Sequence, residues 1–241
     1  MTSLITRAWR RWRPLDEDAP EPSGAAFHDD QHLIAVTDEL LATASHFIET
    51  GTYVGDTLHH VATRHGHLQC HSCEPSPKRF ARAMEHLAGL ENIQVRKVTS
   101  QKFIRALDRD PTVDKAAASP VFWFDAHGYG FTWPLRDEVR WATSFANGHV
   151  LIDDFEVPGR PEFGFDEYKD QRCAWDFIRS SLQDRDDYRV TFPAYTEHTS
   201  RFHPLRGWIL ISFGTDVEST LVDNELVTHL TLAEADALAA R

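Results

Sequence analysis

Cysteine is scarce in this chain: three residues, Cys70, Cys73 and Cys173, in 241. A disulfide framework belongs to small, cysteine-dense secreted domains, so none is expected here and the thiols are read as reduced. No apolar run approaches the roughly 20 residues that cross a bilayer, and the first residues lack the apolar segment of a secretion signal. A cytoplasmic protein without a membrane span is the expectation. Positive charge is short as well, with Lys plus Arg at 25 against 37 for Asp plus Glu and a net charge of −12. A polyphosphate backbone would meet a repulsive surface, which argues against nucleic acid and for a small-molecule substrate. Cys70-His71-Ser72-Cys73 does spell Cys-x-x-Cys, but on a predicted strand positions three apart point to opposite faces, and no second ligand pair follows. A shared zinc is not expected.

The length suits one sizeable α/β domain. Residues 1–25 join a basic, tryptophan-bearing start to a polar, proline-containing tract and read as a flexible arm. The folded domain is expected over residues 26–241. Leu33, Val36, Leu40 and Leu41 share one face of a predicted helix over 30–45. Strands near 47–50, 68–73, 93–98, 121–124 and 149–152 then alternate with helices over 54–64, 77–87, 103–107 and 135–145. A helix over 174–182, two strands near 188–192 and 208–213, and a terminal helix over 232–240 complete the reading. Alternation of this kind predicts a Rossmann-like, doubly wound, mostly parallel sheet with helices on both faces.

The segment Phe47-Ile48-Glu49-Thr50-Gly51-Thr52-Tyr53-Val54-Gly55-Asp56-Thr57 runs from an apolar strand through a glycine-punctuated turn into a helix. Glycines at 51 and 55 permit tight turning and close backbone approach to a ligand. The Gly-x-Gly-x-x-Gly of dinucleotide binding is lacking, and Glu49 would repel a pyrophosphate. Glu74 closes the next strand, twenty-five positions on, where an acid can hold both hydroxyls of a ribose. Glu-x-Gly-x-x-x-Gly followed by an acid at the end of the second strand resembles the class I S-adenosylmethionine-dependent methyltransferases. That resemblance implies a seven-stranded sheet with an antiparallel last strand.

Two further strands end in acids: Val121-Phe122-Trp123-Phe124 runs into Asp125-Ala126-His127-Gly128, and His149-Val150-Leu151-Ile152 into Asp153-Asp154. Neighbouring parallel strands would bring Asp125, Asp153 and Asp154 to one sheet edge. Converging carboxylates repel unless protons or a cation neutralise them, and hard oxygen donors favour Mg²⁺, Mn²⁺ or Ca²⁺. Here the chain resembles the metal-dependent, macrocin O-methyltransferase-like group acting on sugar hydroxyls of natural products. It writes Asp125-Ala126-His127-Gly128 where that group commonly begins Asp-Gly.

The resemblance implies Asp125, Asp153 and Asp154 as metal ligands, with Mg²⁺ the first expectation. Cofactor contacts fall on Glu49, Gly51, Thr52 and Gly55 at the methionine end, Glu74 at the ribose, Ser100 toward the adenine, and Asp125 beside the metal. His127, near Asp125, is placed to take the acceptor's proton. Residues 156–172, rich in turn formers and aromatics, read as an acceptor-side loop, with Trp133, Phe163, Phe165 and Tyr168 as candidate pocket walls. Three other readings stay open: a metal-independent methyltransferase of this fold, a carboxylate-metal hydrolase, and a non-catalytic S-adenosylmethionine-binding module. A homo-oligomer is compatible with all of them.

Overall fold

The structure, a computed structural model, describes residues 19–126, 133–168, 171–201, 203–214, 217 and 219–240. Helix α1 (Gln31–Leu41) precedes strand β1 (His46–Thr50); α2 (Asp56–Arg64), β2 (Gln69–Cys73), α3 (Pro77–His86), β3 (Ile93–Arg96), α4 (Ser100–Leu107) and β4 (Pro120–Phe124) follow. Then come α5 (Leu135–Ala142), β5 (Gly148–Ile152), the two-residue pair β6 (Glu167–Tyr168) and β7 (Gln171–Arg172), and α6 (Trp175–Ile178) with a 3₁₀ turn after it. Strands β8 (Arg189–Pro193), β9 (Ile209–Phe213) and β10 (Val227–Thr231) and helix α7 (Leu232–Ala239) close the chain.

The main sheet has the order β10-β8-β9-β5-β4-β1-β2-β3. Strands β3, β2, β1, β4 and β5 are paired in parallel, whereas β9 runs antiparallel to both β5 and β8. The doubly wound plan therefore holds, with its antiparallel finish. One more strand, β10, pairs antiparallel with β8 and makes the sheet eight-stranded. Its sequence, Val-Thr-His-Leu-Thr, is only partly buried, so the apolar run that betrays a central strand is missing. The buried strands β1 and β4, by contrast, have no exposed residue, as a sheet covered on both faces requires.

Local signals set the helix starts. Asp30 accepts the amides of His32 and Leu33 ahead of α1, Ser76 accepts that of Arg79 with Pro77 opening α3, and Thr231 with Glu234 forms a reciprocal cap on α7. No described helix is long and apolar enough to cross a membrane.

The chain reverses lateral direction between β1, which leads out to β2, and β4, which leads out to β5. Ligands of open α/β sheets bind at this switch point, beyond the carboxyl ends of the strands. Across it, Gly51 has φ +92°, and a Cβ there would lie 2.6 Å from the Asp125 carbonyl oxygen. Only glycine lets the two strand ends approach so closely.

Candidate functional site

Glu49, next to last in β1 and opposite Trp123 of β4, is 1% exposed. Its Oε2 accepts the Ser72 hydroxyl at 2.5 Å, and the Ser72 and Thr52 hydroxyls are themselves 2.5 Å apart. Burial pushes the Glu49 carboxyl up to about 8; the Ser72 hydrogen bond opposes this, and the charges of Asp125 and Glu74 add to it. An acid held neutral at the switch point is poised to ionise when a cation arrives.

Glu74, just past β2, is also buried. It organises the turn: Oε2 accepts the Tyr53 amide at 2.9 Å and Oε1 the Ser76 amide at 2.8 Å. Burial raises its pKa, against those two hydrogen bonds and the Arg79 charge. Each carboxylate oxygen has two lone pairs, so capacity remains for ligand hydroxyls. Tyr53 adopts φ +54°, and the Arg79 guanidinium lies 5.0 Å from its ring centre. Gly55, at φ +91°, faces Leu87 and is the N-cap of α2. Ser100 opens α4 and donates its hydroxyl to the buried Glu138 of α5.

The second cluster lies at the end of β5. Asp153 and Asp154 are both buried, and the Asp153 Oδ2 lies 2.6 Å from His28 Nε2. Ligand atoms of His28, Asp153 and Asp154 all fall within 4.8 Å of one another, the only such metal-competent group among the described residues. Burial works against a charge on His28, but the adjacent Asp153, then Asp154 and Asp125, push its pKa up to about 9. Asp154, at φ +48°, faces Arg206 Nη1 at 3.3 Å, and the same nitrogen lies 3.7 Å from Asp166 Oδ1. Asp125 lies outside the tight trio, between the clusters, where its charge bears on both Glu49 and His28.

His28 arrives on an unusual backbone. Phe27, His28 and Asp29 have φ of 47°, 60° and 58°, a left-handed turn costing about 1–2 kcal/mol per non-glycine residue. Surrounding contacts hold it there. Asp56 accepts from the Ser23 and Gly24 amides, Phe27 packs edge-on against Trp123 with centroids 4.9 Å apart, and Ser200 donates to the His28 carbonyl at 2.6 Å. Within the expected arm, Ser23 and Gly24 are thus tied to Asp56 of α2; residues 1–18 lie outside the described residues. Left-handed non-glycine residues at His28, Tyr53 and Asp154 all border the site, which is where such strain is maintained.

The expected residues Glu49, Gly51, Gly55, Glu74, Asp125, Asp153 and Asp154 come together along one sheet edge, as the paired registers of β1, β2, β4 and β5 require. Thr52 and Ser100 are there too, with their hydroxyls engaged by Ser72 and Glu138. His127 lies outside the described residues. In the acceptor-side loop, Phe163 is buried against Tyr195 and Phe165 lies under Arg172, while Trp133 packs edge-on with Phe177. Ser72, His28 and Arg206 are the additions that sequence reasoning missed. Ser72 sat inside the strand, and His28 has no spacing signature. Arg206 did carry a signal, a cation before Gly207 and three residues ahead of the buried strand β9.

No protein-family model matches the sequence, and no curated protein does. Among solved structures the chain is similar to the O-methyltransferase TomG of Streptomyces achromogenes in complex with SAM, with a TM-score of 0.56, 18% identity, and coverage of 76% of this chain and 79% of that one. It is similar also to an O-methyltransferase of Bacillus cereus in complex with SAH, with a TM-score of 0.55, 15% identity, and coverage of 76% and 80%. The fold is that of the class I S-adenosylmethionine-dependent methyltransferases.

Proposed function

We propose that this chain is an S-adenosylmethionine-dependent methyltransferase that modifies a hydroxyl of a small molecule, such as a sugar or natural product, with assistance from a divalent ion. The observation that carries the reading is the meeting of buried Glu49, of Gly51 against the Asp125 backbone, and of Glu74 at one sheet edge. The fold adds support, because TomG and the Bacillus cereus enzyme bind SAM and SAH at comparable overall architecture. When bound, the cofactor supplies an electrophilic methyl group on a sulfonium, and the ion supplies Lewis acidity toward the acceptor oxygen.

The chain's own residues do the rest. Glu49 balances the cationic methionine end in a crevice whose walls are Gly51 and Gly55, with Thr52 backing it through Ser72. Glu74 holds the ribose hydroxyls while fixing the turn through the Tyr53 and Ser76 amides, and Ser100 borders the adenine. Asp153 and Asp154, with Asp125 beside them, are the carboxylates for an ion, and the close grouping of imidazole and carboxylate donors fits one. His127 and Asp125 carry the proton-transfer role. Residues 156–172 border the acceptor. Three buried thiols suit the reducing cytoplasm to which this reading assigns the protein.

Calorimetric titration tests the cofactor assignment. S-adenosylmethionine and its demethylated product are expected to bind while NAD⁺ does not, with about tenfold weaker binding in Glu74→Gln, which loses a charged acceptor for ribose. Failure of both sulfur compounds to bind would sink the methyltransferase reading.

A metal-independent enzyme of the same fold is the second reading, favoured by Arg206 beside Asp154 and His28 beside Asp153, which already balance part of the carboxylate charge. Turnover over a panel of sugar and phenolic hydroxyl acceptors separates the two. Loss of at least about 90% of the rate on chelation, restored by added ion, is expected for metal assistance; an unchanged rate selects the second reading.

A further inference from the structure

We propose that His28 is a ligand of the ion, so that the site is a mixed nitrogen and oxygen set selecting a first-row transition ion, of the Mn²⁺ to Zn²⁺ series, over Mg²⁺. The proposal rests on the methyltransferase reading for the ion's place beside the acceptor.

Two observations converge on it. The ligand atoms of His28, Asp153 and Asp154 lie within 4.8 Å of one another, close to the ~4 Å that separates opposite donors each about 2.1 Å from one ion. Imidazole is a frequent ligand of Mn²⁺, Co²⁺ and Zn²⁺, whereas Mg²⁺ takes oxygen almost exclusively.

Arg206 supplies the second. With its guanidinium 3.3 Å from Asp154 Oδ1, the net negative charge that would draw a hard ion is reduced. Selection then falls to donor type, where nitrogen matters most.

The left-handed turn gives His28 its place in this arrangement. Its backbone is stitched to Ser200, and the ring is flanked by that of His203 at 5.0 Å. A strained segment held from several sides, with its imidazole delivered to an aspartate pair, is a positioned ligand rather than a loose surface histidine.

The test uses the full chain stripped of metal, titrated with Mn²⁺, Co²⁺ and Mg²⁺ in the presence of S-adenosylhomocysteine. His28→Asn is the variant, since asparagine tolerates positive φ and keeps an oxygen donor while removing the ring nitrogen. Wild type is expected to bind Co²⁺ at least about tenfold more tightly than Mg²⁺, and H28N to lose about 10–100-fold in Co²⁺ affinity with Mg²⁺ changed less than about twofold. Pulsed EPR of the wild-type Mn²⁺ form is expected to carry nitrogen modulation that H28N lacks. Equal Co²⁺ affinity in the two proteins, a wild-type Mn²⁺ spectrum without nitrogen coupling, or no binding of any ion would each overturn the proposal. The wild-type spectrum decides the matter even if H28N folds poorly. S-adenosylhomocysteine binding without metal is measured on the same samples, so failure of the cofactor reading is recognised separately.

Discussion

Replacing Glu49 by glutamine is expected to raise the melting temperature and to weaken cofactor binding in the same protein. The reason is the cost of burying an acid. Burial lifts the Glu49 carboxyl from 4.5 to about 8, so between those values the folded chain keeps a proton that the unfolded chain releases. Stability therefore falls as pH rises through this window, and is insensitive to Glu49 below it. At pH 7 the accumulated penalty is about 3 kcal/mol, from ~1.4 kcal/mol per pH unit. Glutamine carries no such penalty and can still accept the Ser72 hydroxyl. A gain of roughly 5–10 °C in midpoint is expected for a chain of this size.

Cofactor affinity moves the other way. A cationic methionine moiety needs the ionised carboxylate, so wild-type binding should strengthen as pH rises, by up to about tenfold per unit, and level off near the Glu49 pKa of about 8. Uptake below that pH should release close to one proton, measurable from the buffer dependence of the binding enthalpy. The glutamine variant should bind at least about 30-fold more weakly at pH 8, equivalent to ~2 kcal/mol, with no pH dependence from this position. A variant that is more stable yet binds normally would remove Glu49 from the cofactor site. A variant less stable than wild type would contradict the neutral buried acid.

Gly51→Ala is expected to produce the second large effect, this time by geometry. The position has φ +92°, and the added methyl would meet the Asp125 carbonyl oxygen at 2.6 Å and its carbon at 2.8 Å. Both are backbone atoms at the end of β4, tied back to β1 by the Asp125 amide donating to the Thr50 carbonyl at 3.0 Å. No flexible side chain can swing aside. The left-handed conformation costs an alanine about 1–2 kcal/mol and the overpacking about 1–3 kcal/mol more. Urea unfolding should therefore lose about 2–5 kcal/mol, and S-adenosylmethionine binding should vanish with the separation of the two strand ends. A loss below about 1 kcal/mol would mean that the crevice opens easily, contrary to a rigid switch point.

Much of this site was legible because its logic is periodic. Acids written at or just past the ends of strands must emerge at the carboxyl edge of a parallel sheet, so Glu49, Glu74, Asp125 and Asp153 could be placed together from chain order. The paired registers of β1 with β2 and β4, and of β4 with β5, realise that placement. Helix starts were equally readable at Asp30 and Ser76, where a capping side chain precedes the periodic run. Strand β10 was not, because a half-exposed edge strand carries little apolar signal.

By itself the sequence determined the doubly wound plan, the glycine turn after β1 and the row of acids along one edge, since each follows from interactions local to a strand, a turn or a strand end. Only the tertiary structure decided what neutralises those acids. His28 lies 125 positions before Asp153 and meets it at 2.6 Å through a left-handed turn. Arg206 reaches Asp154 from the segment three residues ahead of β9. Such pairings depend on long-range closure of the chain, and no local propensity records them; a conformation disfavoured in the isolated segment persists because contacts from residues far along the chain outweigh its cost.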